Sequence, residues 1–214
     1  MTEKLREELI ATAREMNRSG INQGTSGNLS LRCGDGLLIT PSGLPYDRLQ
    51  PADIVFLQIE SGDVPVATGL RQPSSEWRIH RDVYRARPEA LAILHAHPVH
   101  CAALACLHRP LPAFHYMVAV AGGRDIRCAP YATFGTQALS DHVLAALAGR
   151  RACLMANHGL LSLGPDLRSA LVLAVEIEAL ARTYLLCLSV GEPEVLDDAE
   201  MDRVLDKFRD YGKE

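Results

Sequence analysis

The chain has 214 residues, 48% of them hydrophobic, 5% aromatic and 22% charged, which is the profile of an ordinary globular protein with enough length for one sizeable core. Its formal charge of −4, without any concentrated basic stretch, argues against nucleic acid or an anionic membrane as the main partner. A small metabolite fits better.

Residues Met1–Leu9 mix charges with apolar positions that continue at Ala13 and Met16, so the first 18 residues read as an amphipathic helix and not a secretion signal. Short strands follow near Ser30–Cys33, Leu37–Thr40 and Ile54–Ile59, interrupted by the loop Pro41–Pro45. A helix is expected to start at Ser74. The apolar run Ala90–Leu94 predicts a buried strand that ends on His95 and His97, and Pro98 suits the first turn of a helix over 98–108. Next come a helical stretch at 114–121, a strand around Ile126–Pro130 and a helix over Thr136–Leu147. Strands at 152–156 and 160–163, a long helix at 167–189 and a terminal helix from Ala199 to about Asp210 complete the order. Neighbouring strands repeatedly lack a helix between them. The reading is therefore one mixed α/β (α+β-like) domain, 1–214, with a largely antiparallel central sheet covered by helices.

The longest apolar stretch, Leu171–Val190, carries Glu176, Glu178 and Arg182, which speaks against a membrane span. Six cysteines contain no C-x-x-C pair and mostly sit in apolar surroundings. They read as reduced thiols of a cytoplasmic protein.

Three imidazoles and a carboxylate stand out. On an extended segment His95 and His97 point to the same side, and His158 lies between the apolar runs 152–156 and 160–163, with Gly159 allowing a sharp turn. With Glu76, the set suits zinc with a displaceable fourth position. The same H-x-H spacing also suits a hydrogen-bonded structural pair. Two segments look built for an anion. Gly24–Ser30 can converge several backbone N–H groups on an oxyanion, although a plain turn has the same composition. Pro73–Glu76 resembles a phosphate-holding helix N-terminus, unless Ser74 is simply an N-cap. The only lysines are Lys4, Lys207 and Lys213, all in terminal segments. A core Schiff base is hard to place, so carbanion chemistry in this chain points to a metal as electron sink.

Motifs along nearly the whole length, at Asn22–Asn28, Ile39–Tyr46, Pro73–Trp77, His95–His97, His115–Met117, Cys128–Thr136, His158–Leu160 and Lys207–Gly212, resemble the class II aldolase/adducin-like family. Within it they are most similar to the members that act on L-fuculose 1-phosphate. The resemblance implies a zinc enzyme that interconverts this sugar phosphate, or a close relative, with dihydroxyacetone phosphate and L-lactaldehyde. It also implies a homotetramer with active sites at subunit interfaces. By the same resemblance zinc is bound by His95, His97 and His158, with Glu76 as a further ligand when substrate is absent. Phosphate sits among Gly27, Asn28, Ser42, Gly43, Ser74 and Ser75, with Thr25 nearby. Tyr116 donates a proton to the aldehyde oxygen from the neighbouring subunit, and Tyr211 closes over the site.

The chemistry asks for these residue types. Neutral imidazoles leave a metal its full charge, which stabilises an enediolate by several kcal/mol, an order-of-magnitude expectation for Lewis-acid catalysis. Glu76, displaced by substrate, is then placed as general base. A sugar-phosphate 4-epimerase and an oxo-acid-phosphate decarboxylase of the same family are the alternatives. A non-catalytic module like the adducin head has no need of three histidines and a carboxylate together. The aldehyde stays open, since one methyl is worth only about 1–3 kcal/mol in selectivity.

Overall fold

A computed structural model of the chain describes residues 2–60, 67–68 and 70–210. Helix α1 (Thr2–Arg18) precedes the hairpin β1 (Asn28–Cys33) and β2 (Gly36–Ile39), then β3 (Val55–Gln58) and β4 (Ala67–Thr68). Helix α2 (Trp77–Ala86), β5 (Ala92–Ala96), α3 (Val99–Cys106), β6 (Cys128–Ala129) and α4 (Gln137–Ala146) follow. The hairpin β7 (Ala152–Met155) and β8 (Gly159–Gly164) leads into α5 (Leu167–Val190) and α6 (Asp198–Asp210).

The strands form one eight-stranded sheet in the order β4-β3-β2-β1-β5-β8-β7-β6. Every pairing is antiparallel except β6 with β7. The expected sheet class therefore holds, with helices on both faces. Leu9, Cys101, Leu104, Leu173 and Met201 bring α1, α3, α5 and α6 onto one face, where Leu29, Leu94 and Leu160 meet them. Ile79, Val83, Leu139 and Val143 bring α2 and α4 onto the other, against Ile93, Leu161 and Leu163. Period-two alternation decides the rest. Because Leu29 and Leu94 face the first layer, Asn28, Ser30 and His95 must face α2.

Three departures from the sequence reading have a clear local cause. The helix expected at Ser74 begins at Trp77, because Ser74–Glu76 form a tight turn closed by Trp77 N–H donating to Ser74 C=O (3.0 Å) and Ile79 N–H to Glu76 C=O (3.1 Å). The strand expected over Ile126–Pro130 shrinks to Cys128–Ala129. Ile126 instead bridges Leu111, and Pro130 has no N–H to extend a ladder. The 114–121 stretch is a 3₁₀ turn over Tyr116–Ala121, stopped by Gly122 at φ 86°. Strand β4 had no sequence signal. Among the described residues no helix is long and apolar enough to cross a membrane.

Candidate metal centre

His95 is the penultimate residue of β5, directly across from Asn28 of β1 and Leu161 of β8. The residue is 1% exposed, and Nδ1–H donates to Leu160 C=O at 2.9 Å. That bond fixes the tautomer and turns the Nε2 lone pair inward. His97 leaves the strand end with its Nε2 2.9 Å from that of His95. His158 comes from the β7–β8 hairpin, and the three ring centroids lie 4.7, 4.8 and 5.0 Å apart.

The hairpin that delivers His158 corrects one detail of the sequence reading. The reversal is carried by Asn157 at φ 53°, whose N–H donates to Ala105 C=O (3.0 Å) and whose Oδ1 accepts from His108 Nε2 (2.5 Å). Gly159 is small for a different reason. A Cβ there would lie 2.5 Å from Ala96 C=O and 2.7 Å from the His97 ring. Gly27 is tight in the same way, its missing Cβ falling 2.7 Å from the carbonyl oxygen of His95. Gly27→Ala should therefore push on the strand that carries the ligand, costing about 1–3 kcal/mol by overpacking. A lowered melting temperature together with reduced metal content is the expected readout, and an unchanged melt would show that β1 can yield.

Glu76 completes the cluster from the start of α2. It is 4% exposed, with Oε2 3.1 Å from His95 Nε2 and Oε1 3.3 Å from His158 Nε2. Asn28 Nδ2 donates to Oε2 at 2.9 Å, while Oε1 is buried with no hydrogen-bond donor. Burial pushes this carboxyl up, but the charge and hydrogen bond of His95, with His158 and Asn28, outweigh it and hold it well below the usual carboxylate range. Burial, and then the charge of His95, hold His158 down to about 4, and burial with the charges of His95 and His158 does the same for His97. Both are neutral at neutral pH. Burial also disfavours a charged His95, yet Glu76 and the Leu160 carbonyl raise its affinity for a proton. The cluster thus demands positive charge.

The residues fit a divalent cation. Three imidazole nitrogens lie within 4.8 Å of one another, beside an ionised carboxylate with an orphaned oxygen. Lone pairs crowded this closely need a cation between them.

Around this centre the structure joins one of the two expected anion segments, Pro73–Glu76, to the Pro41–Pro45 loop. Pro41 bridges Pro73, Ser42 N–H donates to Gln72 C=O (3.1 Å), and Ser74 N–H donates to Thr40 C=O (3.1 Å). Ser42 and Gly43 are thereby set beside Ser74 and Ser75. Ser42, Gly43 and Ser75 are exposed, as is Thr25 in the neighbouring Gly24–Gly27 turn, whereas Ser74, Gly27 and Asn28 are buried. Ser74 Oγ caps locally by accepting from Glu76 N–H (3.3 Å). Tyr116 lies elsewhere, 52% exposed, against His115 and Phe208, and it borders a groove with Met117 and Val204. Tyr211 and Lys213 fall outside the described residues.

His80, Ser30 and Tyr84 escaped the sequence reading. His80 is fully buried, with Nε2 2.5 Å from Asn28 Oδ1 and Nδ1 2.6 Å from Ser30 Oγ. A signal was present. Glu76, His80 and Tyr84 recur every fourth residue on one helix face, and Asn28 and Ser30 alternate on the strand opposite.

A largely antiparallel sheet between helix layers, with three histidines at its strand ends and a buried carboxylate at the start of a facing helix, is the scaffold of a metal-dependent lyase of the class II aldolase kind. Residues 7–185 match the model of the Class II Aldolase and Adducin N-terminal domain, and the chain belongs to that family. It is 55% identical over 208 residues to a 5-methylthioribulose-1-phosphate/5-deoxyribulose-1-phosphate aldolase of Rhodospirillum rubrum, covering 97% of this chain and 92% of that one. It is 50% identical over 210 residues to the L-fuculose phosphate aldolase of Escherichia coli K12, covering 98% and 96%. A solved structure of an L-fuculose 1-phosphate aldolase superposes with a TM-score of 0.91 at 41% identity, covering 96% of each chain.

Proposed function

We propose that the chain is a zinc-dependent aldolase that cleaves a ketose 1-phosphate to dihydroxyacetone phosphate and a short aldehyde. L-fuculose 1-phosphate, giving L-lactaldehyde, is one substrate of this type. The 5-substituted ribulose 1-phosphates named for the Rhodospirillum rubrum relative share the same phosphorylated half. The observation that carries the reading is Glu76, a buried, ionised carboxylate facing three convergent imidazoles, with paired serine–glycine loops alongside.

When bound, the divalent ion supplies Lewis-acid stabilisation of the negative charge that develops beside the ketone. Every other step belongs to the chain. In the condensing direction Glu76 removes a proton from the carbon next to the ketone, and Tyr116, contributed by a second copy in a homotetramer, gives a proton to the aldehyde oxygen. Cleavage runs the same transfers in reverse. Ser42, Gly43, Ser74 and Ser75, with Gly27, Asn28 and Thr25 close by, hold the phosphate away from the reacting carbons and so orient them. Tyr211 is assigned to covering the site.

Ser75→Ala is expected to raise KM for a ketose 1-phosphate about tenfold, the scale of one charge-assisted hydrogen bond, while an unphosphorylated ketose is little affected. Equal losses on both would overturn the phosphate assignment. The function itself is tested by following release of dihydroxyacetone phosphate from a panel of ketose 1-phosphates, with and without chelator. Inversion of the sugar without net aldehyde release would make the chain an epimerase, and carbon dioxide from an oxo-acid phosphate would make it a decarboxylase.

A further inference from the structure

Behind the carboxylate lies a closed file of polar side chains in an otherwise apolar interface between β1 and α2. Tyr84 hydroxyl is 2.9 Å from Ser30 Oγ, Ser30 Oγ is 2.6 Å from His80 Nδ1, His80 Nε2 is 2.5 Å from Asn28 Oδ1, and Asn28 Nδ2 is 2.9 Å from Glu76 Oε2. All four residues behind Glu76 are at most 3% exposed, so no water competes for these bonds. Such a file has two self-consistent directions, because hydroxyls, an imidazole and an amide can each reverse. The Asn28 amide fixes one: its Nδ2 donates to Glu76 Oε2, so its Oδ1 must accept from His80 Nε2–H, and Ser30 must donate to His80 Nδ1. Tyr84, whose hydroxyl also lies 3.3 Å from Leu91 C=O, then donates to the nearer Ser30 Oγ. Burial raises the Tyr84 hydroxyl well above its ordinary pKa and holds His80 down to about 3, so both are neutral, as the file requires.

We infer that His80 is a positioning residue for the general base: by donating to Asn28 it locks the amide that holds Glu76 at the histidine centre. It acts through Asn28 and touches neither substrate nor metal. The inference rests on the proposed role of Glu76, and one arm of its test does not.

His80→Phe preserves the ring's bulk but can neither donate to Asn28 nor accept from Ser30. His80→Gln offers one donor and one acceptor to the same neighbours. For His80→Phe loaded with zinc, kcat on a ketose 1-phosphate should fall about 10- to 100-fold, the scale of a small misplacement of a reacting group, with KM and zinc content near wild type. His80→Gln should recover most of the loss. A crystal structure of His80→Phe should show the Asn28 amide turned or moved off Glu76 while His95, His97 and His158 keep their places. An intact Asn28–Glu76 bond in that structure, or equal losses in the Phe and Gln variants, would overturn the inference. If His80→Phe does not fold, Ser30→Ala substitutes for it, since removing the hydroxyl frees His80 to take the wrong tautomer. Unchanged kcat and an unchanged Asn28–Glu76 contact in that variant would overturn the inference as well. If wild-type protein turns over no ketose 1-phosphate, the proposed function fails, and the crystallographic arm still decides the positioning.

Discussion

His158→Ala is expected to lower affinity for the divalent ion by more than about 100-fold, beyond the 10- to 100-fold typical of losing an outer partner of a ligand. The side chain is one of only three imidazoles in the cluster, and its Nε2 faces Glu76 Oε1, which has no hydrogen-bond donor. His95→Ala and His97→Ala should behave alike, with His95→Ala also lowering stability, because the buried carboxylate then loses the imidazole 3.1 Å from its Oε2. Elemental analysis of purified variants reads the metal, and dihydroxyacetone phosphate release reads turnover. Equal zinc in all three variants would remove the trio as the binding site. The wild-type chain should also melt lower in chelator, since an ion at 100 times its Kd contributes about 2.7 kcal/mol.

Glu76→Gln is expected to separate binding from chemistry. The three imidazoles remain, and the amide can still accept from Asn28 Nδ2, so zinc content should stay near wild type. Turnover should drop by about 10²–10⁴, the usual contribution of a general base, because an amide cannot take the proton. KM for the phosphorylated substrate should change little, as the paired serine loops are untouched. Near-normal cleavage by this variant would move the base elsewhere in the site. Loss of zinc along with activity would instead make Glu76 mainly a ligand, and the demand for positive charge at His95 makes that distinction worth measuring.

Much of the architecture was legible because its signals are local. The amphipathic period of α1, the apolar run that ends on His95 and the strand pair around His158 each lie within one element, and the structure moves their ends by only a residue or two. What failed were signals that depend on a distant partner. Strand β4 forms because Thr68 and Ala67 find β3, not because two residues carry any pattern of their own. The start of α2 slipped to Trp77 because Ser74–Glu76 turn inward toward the histidines. Asn157 was overlooked as the turning residue because αL backbone is cheap for Asn, but the Ala105 carbonyl and His108 that secure it come from α3 and its end.

Part of the candidate metal site was readable locally, since H-x-H on a strand end places two imidazoles together by geometry alone. That His158 joins them was decided by the pairing of β5 with β8, and Glu76, 19 positions before His95, is brought in by the packing of α2 over the same face of the sheet. The pairing of β5 with β1 put Asn28 opposite His95, and the same packing turned His80 of α2 toward it. A residue's neighbours along the chain set its conformation, whereas its charge state, its tautomer and its hydrogen-bond direction depend on what packing brings within about 3 Å. For His80 that difference is complete: an unremarkable helix histidine in the sequence becomes, once buried between Ser30 and Asn28, the support of the carboxylate at the centre of the site.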